Sequence, residues 1–128
     1  MDDEVRAVFA TLPGRLEAEP FLIWRGRRFN AAVKLATGNA SLHLTFRDGR
    51  VEAVDRGSPV MRSWDFALVA DAEAWLEHWK PMPRPGFHDI FALSKFGRLC
   101  MEGNLHPLMS HLQYVKDLLA LPRKEGVQ

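Results

Sequence analysis

The sequence predicts an α+β fold: a largely antiparallel sheet of about five strands, covered on one face by helices. Three observations carry this. Leu42, Leu44 and Phe46 alternate with Ser41, His43, Thr45 and Arg47, the pattern of a half-buried strand. Asp48-Gly49 then separates that run from Val51 and Ala53, as a tight hairpin turn does. Apolar residues at steps of three and four mark helices near both ends of the chain.

The first helix is expected over residues 3–12, where Val5, Val8, Phe9 and Leu12 form one stripe. Asp2 suits its cap, and Asp3 and Glu4 suit the positive end of its dipole. Pro13-Gly14 is read as its end, with Leu16 in a short following turn. Phe21-Leu22-Ile23-Trp24 is read as extended, and Arg25-Gly26-Arg27-Arg28 as a polar turn. Residues 29–36 alternate through Phe29, Ala31, Val33 and Leu35. With a turn at Gly38-Asn39, residues 29–55 make an antiparallel meander, broken by Gly57-Ser58-Pro59.

Residues 64–70 give another strand, and Asp71 caps a helix over 72–79 with Glu73 and Glu77 on its wet side. The three prolines of residues 81–87 exclude helix and central strand. A short helix over 88–95, started by His88, and a brief strand from Arg98 to Met101 follow. His106 to Leu121 reads as one final helix, ended by Pro122.

The 128 residues fit one domain spanning 1–128. Seventeen basic residues against sixteen acidic ones leave a net charge of +1, which gives no general reason to bind nucleic acid. The single cysteine, Cys100, cannot form an internal disulfide and reads as a small buried hydrophobe. The acidic start, Met1-Asp2-Asp3-Glu4, is unlike a secretory signal, no run approaches a membrane span, and Gly126-Val127-Gln128 is no peroxisomal address. A cytoplasmic location is the expectation.

No catalytic constellation is recognisable. Gly-x-Ser-x-Gly and phosphate-binding glycine loops are absent. His43, His78, His88, His106 and His111 lack zinc spacing, so neither metal nor cofactor is expected. Arg25, Arg27 and Arg28 beside Trp24 could grip phosphate or meet an acidic partner, but with net charge near zero a solvated turn is the favoured reading.

Three segments carry a family resemblance. Leu12-Pro13-Gly14-Arg15 follows an opening helix and leads to the strand at Asn30 to Ala36. Asp65-Phe66-Ala67-Leu68-Val69-Ala70-Asp71 runs into Ala74-Trp75-Leu76. Phe96-Gly97-Arg98-Leu99-Cys100-Met101-Glu102-Gly103-Asn104-Leu105 resembles a Gly-basic-Leu strand that ends in Gly-Asn before a last helix. In this order and spacing they resemble the sterol carrier protein type-two (SCP2) family, in its bacterial single-domain form. The chain departs from it at residues 80–95, which are longer and proline-rich and correspond to a border of the family's cavity. The resemblance implies binding or transfer of an apolar ligand, such as a sterol, a fatty acyl chain or another lipid, without catalysis. Some members are appended to enzymes, and some have no assigned ligand.

The final helix has a wide apolar surface. Leu105, Leu108, Met109, Leu112, Val115 and Leu119 form one stripe; His111, Tyr114, Leu118 and Leu121 form a second. A cavity is expected between the sheet, residues 87–96 and this helix, lined by Phe66, Phe87, Phe91, Phe96, Met101, Leu108, Met109 and Leu112. The same residues also fit a closed core. On that alternative the domain is an interaction module or accessory subunit of a lipid-metabolising enzyme, or a homodimer joined through the second stripe.

Overall fold

The computed structural model describes residues 2–38, 40–55 and 64–124. The expected turn residue Asn39 and the break at Gly57-Ser58-Pro59 lie outside them. Helix α1 (Asp2–Glu17) leads to α2 (Pro20–Arg25), then β1 (Ala31–Thr37), β2 (Ala40–Arg47), β3 (Arg50–Asp55) and β4 (Phe66–Ala70). Helices α3 (Ala72–His78) and α4 (Ile90–Lys95), strand β5 (Leu99–Gly103), and helices α5 (His106–Ser110), α6 (Leu112–Leu119) and α7 (Leu121–Lys124) complete the order.

The expected α+β fold is present as one open five-stranded sheet in the order β3-β2-β1-β4-β5. All neighbours are antiparallel except β1 and β4. The register sets Leu35 beside both Leu42 and Leu68, so alternate residues of three strands share one face. Val33, Leu35, Leu42, Leu44, Phe46, Phe66 and Leu68 are all buried there. Asp48 and Gly49 both have positive φ (53° and 80°), as the sequence requires of a two-residue hairpin turn.

Four local expectations are overturned. Helix α1 does not end at Pro13; it continues to Glu17. Proline removes one main-chain bond inside a helix. Here Leu16, completely buried, carries the stripe of Val5, Phe9 and Leu12 one turn further into the core. Residues 21–24 are helical rather than extended, with Pro20 at the start of α2. Proline's fixed φ suits a first helical turn, and a short apolar run alone does not distinguish strand from helix. Leu22 and Ile23 face inward, while Phe21 and Trp24 face solvent.

Glu77 is not on the wet side of α3 but is only 5% exposed. Its carboxylate accepts from the Arg84 backbone N–H at 3.0 Å and sits 2.9 Å from Lys80 Nζ and 3.3 Å from Arg84 Nε. These bonds, the Arg84 N–H foremost, hold its pKa below the ordinary value despite burial. The carboxylate thereby ties the proline-rich loop to α3.

The expected single last helix is three. It breaks at His111 (φ −129°, ψ 39°), whose N–H is shared by the Pro107 and Leu108 carbonyls at 3.2 Å. The His111 ring turns edge-on to Phe29, with centroids 5.3 Å apart. Pro122 lies inside α7 instead of ending the preceding helix.

Tyr114 shows how tightly the helical layer is seated. Its hydroxyl donates to the Gly49 carbonyl at 2.7 Å, tying α6 to the β2–β3 turn, and burial pushes its pKa upward. A Cβ at Gly26 would fall well inside contact distance of the Tyr114 ring. Gly26→Ala is therefore expected to cost about 1–3 kcal/mol in urea unfolding. An unchanged midpoint would mean that the tyrosine yields.

Candidate functional site

The sheet and the C-terminal helices meet along an all-carbon seam. Phe29, Val33 and Leu35, Leu44 and Phe46, and Phe66 and Leu68 line it from the sheet side; Val115, Leu118 and Leu119 line it from α6. Among the described residues no polar side chain contributes. The space left is about 10 Å³, at most enough for a single water molecule. Phe29 fills the middle, 5.2 Å from the Phe46 ring and 5.2 Å from Tyr114.

Of the eight lining residues read from the sequence, Phe66 alone lies on this seam. Phe66 and Leu108 are completely buried. Phe87, Phe91, Met101 and Leu112 are half-buried and pack against the same core. Phe96 and Met109 do not join them: they are 65% and 49% exposed. The alternating strand residues Val33, Leu35, Leu44 and Phe46 were the signal for the remaining wall, since a strand's inner positions follow from its period.

The second stripe of the last helix also turns inward. Tyr114, Leu118 and Leu121 are buried within the domain, which removes the surface on which a homodimer through that stripe would depend.

The edge of the helical layer is held by polar bonds. Asp71 caps α3 as expected, accepting from the Ala74 N–H at 2.7 Å. Asp89, not His88, caps α4, accepting from the Ala92 N–H at 2.9 Å. His78 Nδ1 lies 2.8 Å from the Phe87 carbonyl, which makes Nδ1–H the donor. Arg123 donates to the His78 carbonyl at 2.6 Å and to the His88 carbonyl at 3.0 Å. Burial is the chief reason that His78 titrates near 4 instead of its usual 6.5. At neutral pH its imidazole is uncharged.

The larger spaces lie at the surface. One groove of about 620 Å³ runs between α2, Pro81 and the α6–α7 junction, with Glu19, Arg25, Asp117 and Arg123 among its walls. Arg25 reaches Asp117 at 3.0 Å, and Arg27 stacks on Trp24 at 4.0 Å. This accounts for two of the three turn arginines within the fold. Among the described residues no cluster of three or more His, Cys, Asp or Glu side chains could hold a metal, and no helix is long and apolar enough to cross a membrane. Cys100 is exposed on β5, not buried as the sequence suggested, because it points to the opposite face of this strand from the buried Leu99.

No protein-family profile matches the chain, and no curated protein matches it significantly. Solved structures do. A crystal structure of sterol carrier protein 2 superposes with a TM-score of 0.70 at 16% identity, over 90% of this chain and 92% of that one. A conserved hypothetical protein from Thermus thermophilus, solved in solution and described as possibly a sterol carrier protein, gives 0.62 at 15% identity, over 89% and 82%. A ubiquinone synthesis protein, UbiJ-SCP2, gives 0.61 at 19% identity, over 92% and 94%. The fold is the SCP2 fold.

Proposed function

We propose that the domain binds or transfers an apolar ligand, a fatty acyl, sterol-like or related lipid chain, between the sheet and the C-terminal helices, without catalysing a reaction. The observation that carries the reading is the seam: among the described residues, ten apolar side chains line it with no polar one, under a cover of short helical segments. A carbon chain needs no hydrogen-bonding partner there. The seam is closed at about 10 Å³, so entry requires the α5–α6 cover to lift from the sheet. Burial of the ligand contributes roughly 25 cal/mol per Å² of apolar surface, set against lifting the cover and immobilising the ligand. The half-buried Phe87, Phe91, Met101 and Leu112 serve as the rim of the entry path, with Phe66 at its inner end.

The rim gives a direct test. Phe91→Glu or Leu112→Glu places a charge on that path, and each is expected to abolish uptake of a fluorescent polyene fatty acid while the circular-dichroism spectrum stays native. Folded variants that bind unchanged would place the ligand elsewhere.

A second reading has its own support. A filled seam together with exposed Phe21, Trp24, Met82, Phe96 and Met109 suits an accessory subunit that binds another protein. The likeness to a ubiquinone synthesis protein is compatible with that role. On this reading no apolar ligand shifts the unfolding temperature.

A further inference from the structure

Strand β5 closes one edge of the sheet and, among the described residues, pairs with β4 on one side only. Its register runs from Phe66 opposite Gly103 to Ala70 opposite Leu99. One step further, the Asn104 N–H donates to the Asp65 carbonyl at 2.7 Å. Main-chain groups of an antiparallel strand point alternately to either side. Asn104, Glu102 and Cys100 therefore direct theirs toward β4, and Met101 and Leu99 direct theirs outward. An open depression of about 840 Å³ spans the β4–β5 end of the sheet, with Val69, Ala70 and Asp71 on the β4 side and Gly97, Arg98 and Met101 on the β5 side.

The edge is complementary to itself. Laid antiparallel on a second copy with Cys100 opposite Cys100, Leu99 meets Met101 and Arg98 meets Glu102, each pair twice. Leu99 and Met101 are the residues with outward main-chain groups, so this register forms four interchain hydrogen bonds. Arg98 and Glu102 fall at positions without main-chain bonds, where side chains approach more closely. Glu102 is exposed, makes no ion pair among the described residues and accepts from the Cys100 thiol at 3.5 Å, while Arg98 already bridges Asp71 and Glu73 at 3.2 Å, so an interchain pair would share its guanidinium with them. Gly97 falls opposite Gly103, so no side chain blocks either end. A one-residue slip pairs outward groups with inward ones. A two-residue slip sets Glu102 or Arg98 against Cys100. The charges match in one register only.

We propose that β5 is the interface of a two-fold homodimer, in which two five-stranded sheets join edge to edge through the register centred on Cys100. The interface is isologous, as closed dimers require. It does not depend on whether the seam holds a ligand.

Sedimentation equilibrium and diamide oxidation of the intact protein test it together. The expected species has twice the 14.6 kDa chain mass. Opposed residues at such positions have Cα atoms about 4.5 Å apart, within disulfide range. Diamide should therefore take two electrons and two protons from the paired Cys100 thiols and leave one interchain disulfide. Glu102→Arg faces arginine with arginine and should weaken the dimer at least tenfold, although it leaves Cys100 accessible. Met101→Pro removes an amide that β4 does not use, and should give a folded monomer. A single-chain mass at all concentrations, a dimer that survives both substitutions, or a dimer without the Cys100 disulfide overturns the proposal.

Discussion

Trp79→Ala is expected to leave little of the folded state. Trp79 is 1% exposed and stands between Phe9, edge-on at 5.7 Å, and Trp75, stacked at 5.7 Å. Its indole N–H donates to the Leu119 carbonyl at 2.8 Å, at the end of α6. Removing the ring leaves a cavity that costs about 3–5 kcal/mol. Stranding the carbonyl adds roughly 1–3 kcal/mol. A domain of this size has only about 5–15 kcal/mol in total. Trp79→Phe separates the two effects, since it keeps most of the ring and loses the bond. It should unfold at lower urea yet exchange an apolar ligand faster, because the bond it loses fastens the cover of the seam. Equal urea midpoints for Trp79→Ala and wild type would show that the tryptophan pair is not the centre of the helical layer.

The second large effect is acid sensitivity from His78. The folded domain holds this imidazole neutral down to about pH 4, against 6.5 in an unfolded chain. Between these values the unfolded state binds a proton that the folded state refuses. The stability is complete above pH 6.5, falls as the pH drops, and has been lost by about pH 4. The gap corresponds to ~3 kcal/mol. His78→Asn keeps a donor for the Phe87 carbonyl and cannot titrate. Thermal unfolding from pH 7 to 4 should fall steeply in the wild type and more gently in the variant. Parallel curves would show that the imidazole is not desolvated. The imidazole sits at the junction of α3, residues 87–88 and Arg123, which borders the proposed entry path.

The two effects lie at the end of α3, whose span was legible, against neighbours that were not. Strands were legible because their period is two and their turns carry glycine: residues 40–47 and the Asp48-Gly49 turn follow directly. The Asp71 cap was legible because it depends on one side chain and the next three residues. The break at His111 carries neither glycine nor proline, and the apolar pattern continues through it. Pro13 misled because a proline's local cost was outweighed by Leu16 at the centre of the core. Glu77 looked solvated because its partners, Lys80 and Arg84, come from a loop whose path only the tertiary structure fixes. For the site, sequence periodicity placed helix residues on a common face. It did not show how closely the helical layer and the sheet would pack. Phe96 and Met109 therefore fell outside the core, and Phe29 and Leu118 were not among the expected lining residues.

Native mass spectrometry of gently purified protein tests the central claim most directly, with solvent extraction and lipid analysis of the same sample. The account predicts an adduct of apolar-lipid mass that is lost on denaturation, or a one-to-one shift on adding fatty acid, acyl-CoA or sterol. A clean apo mass that none of these ligands shifts would contradict it, and would leave the filled seam as an ordinary core.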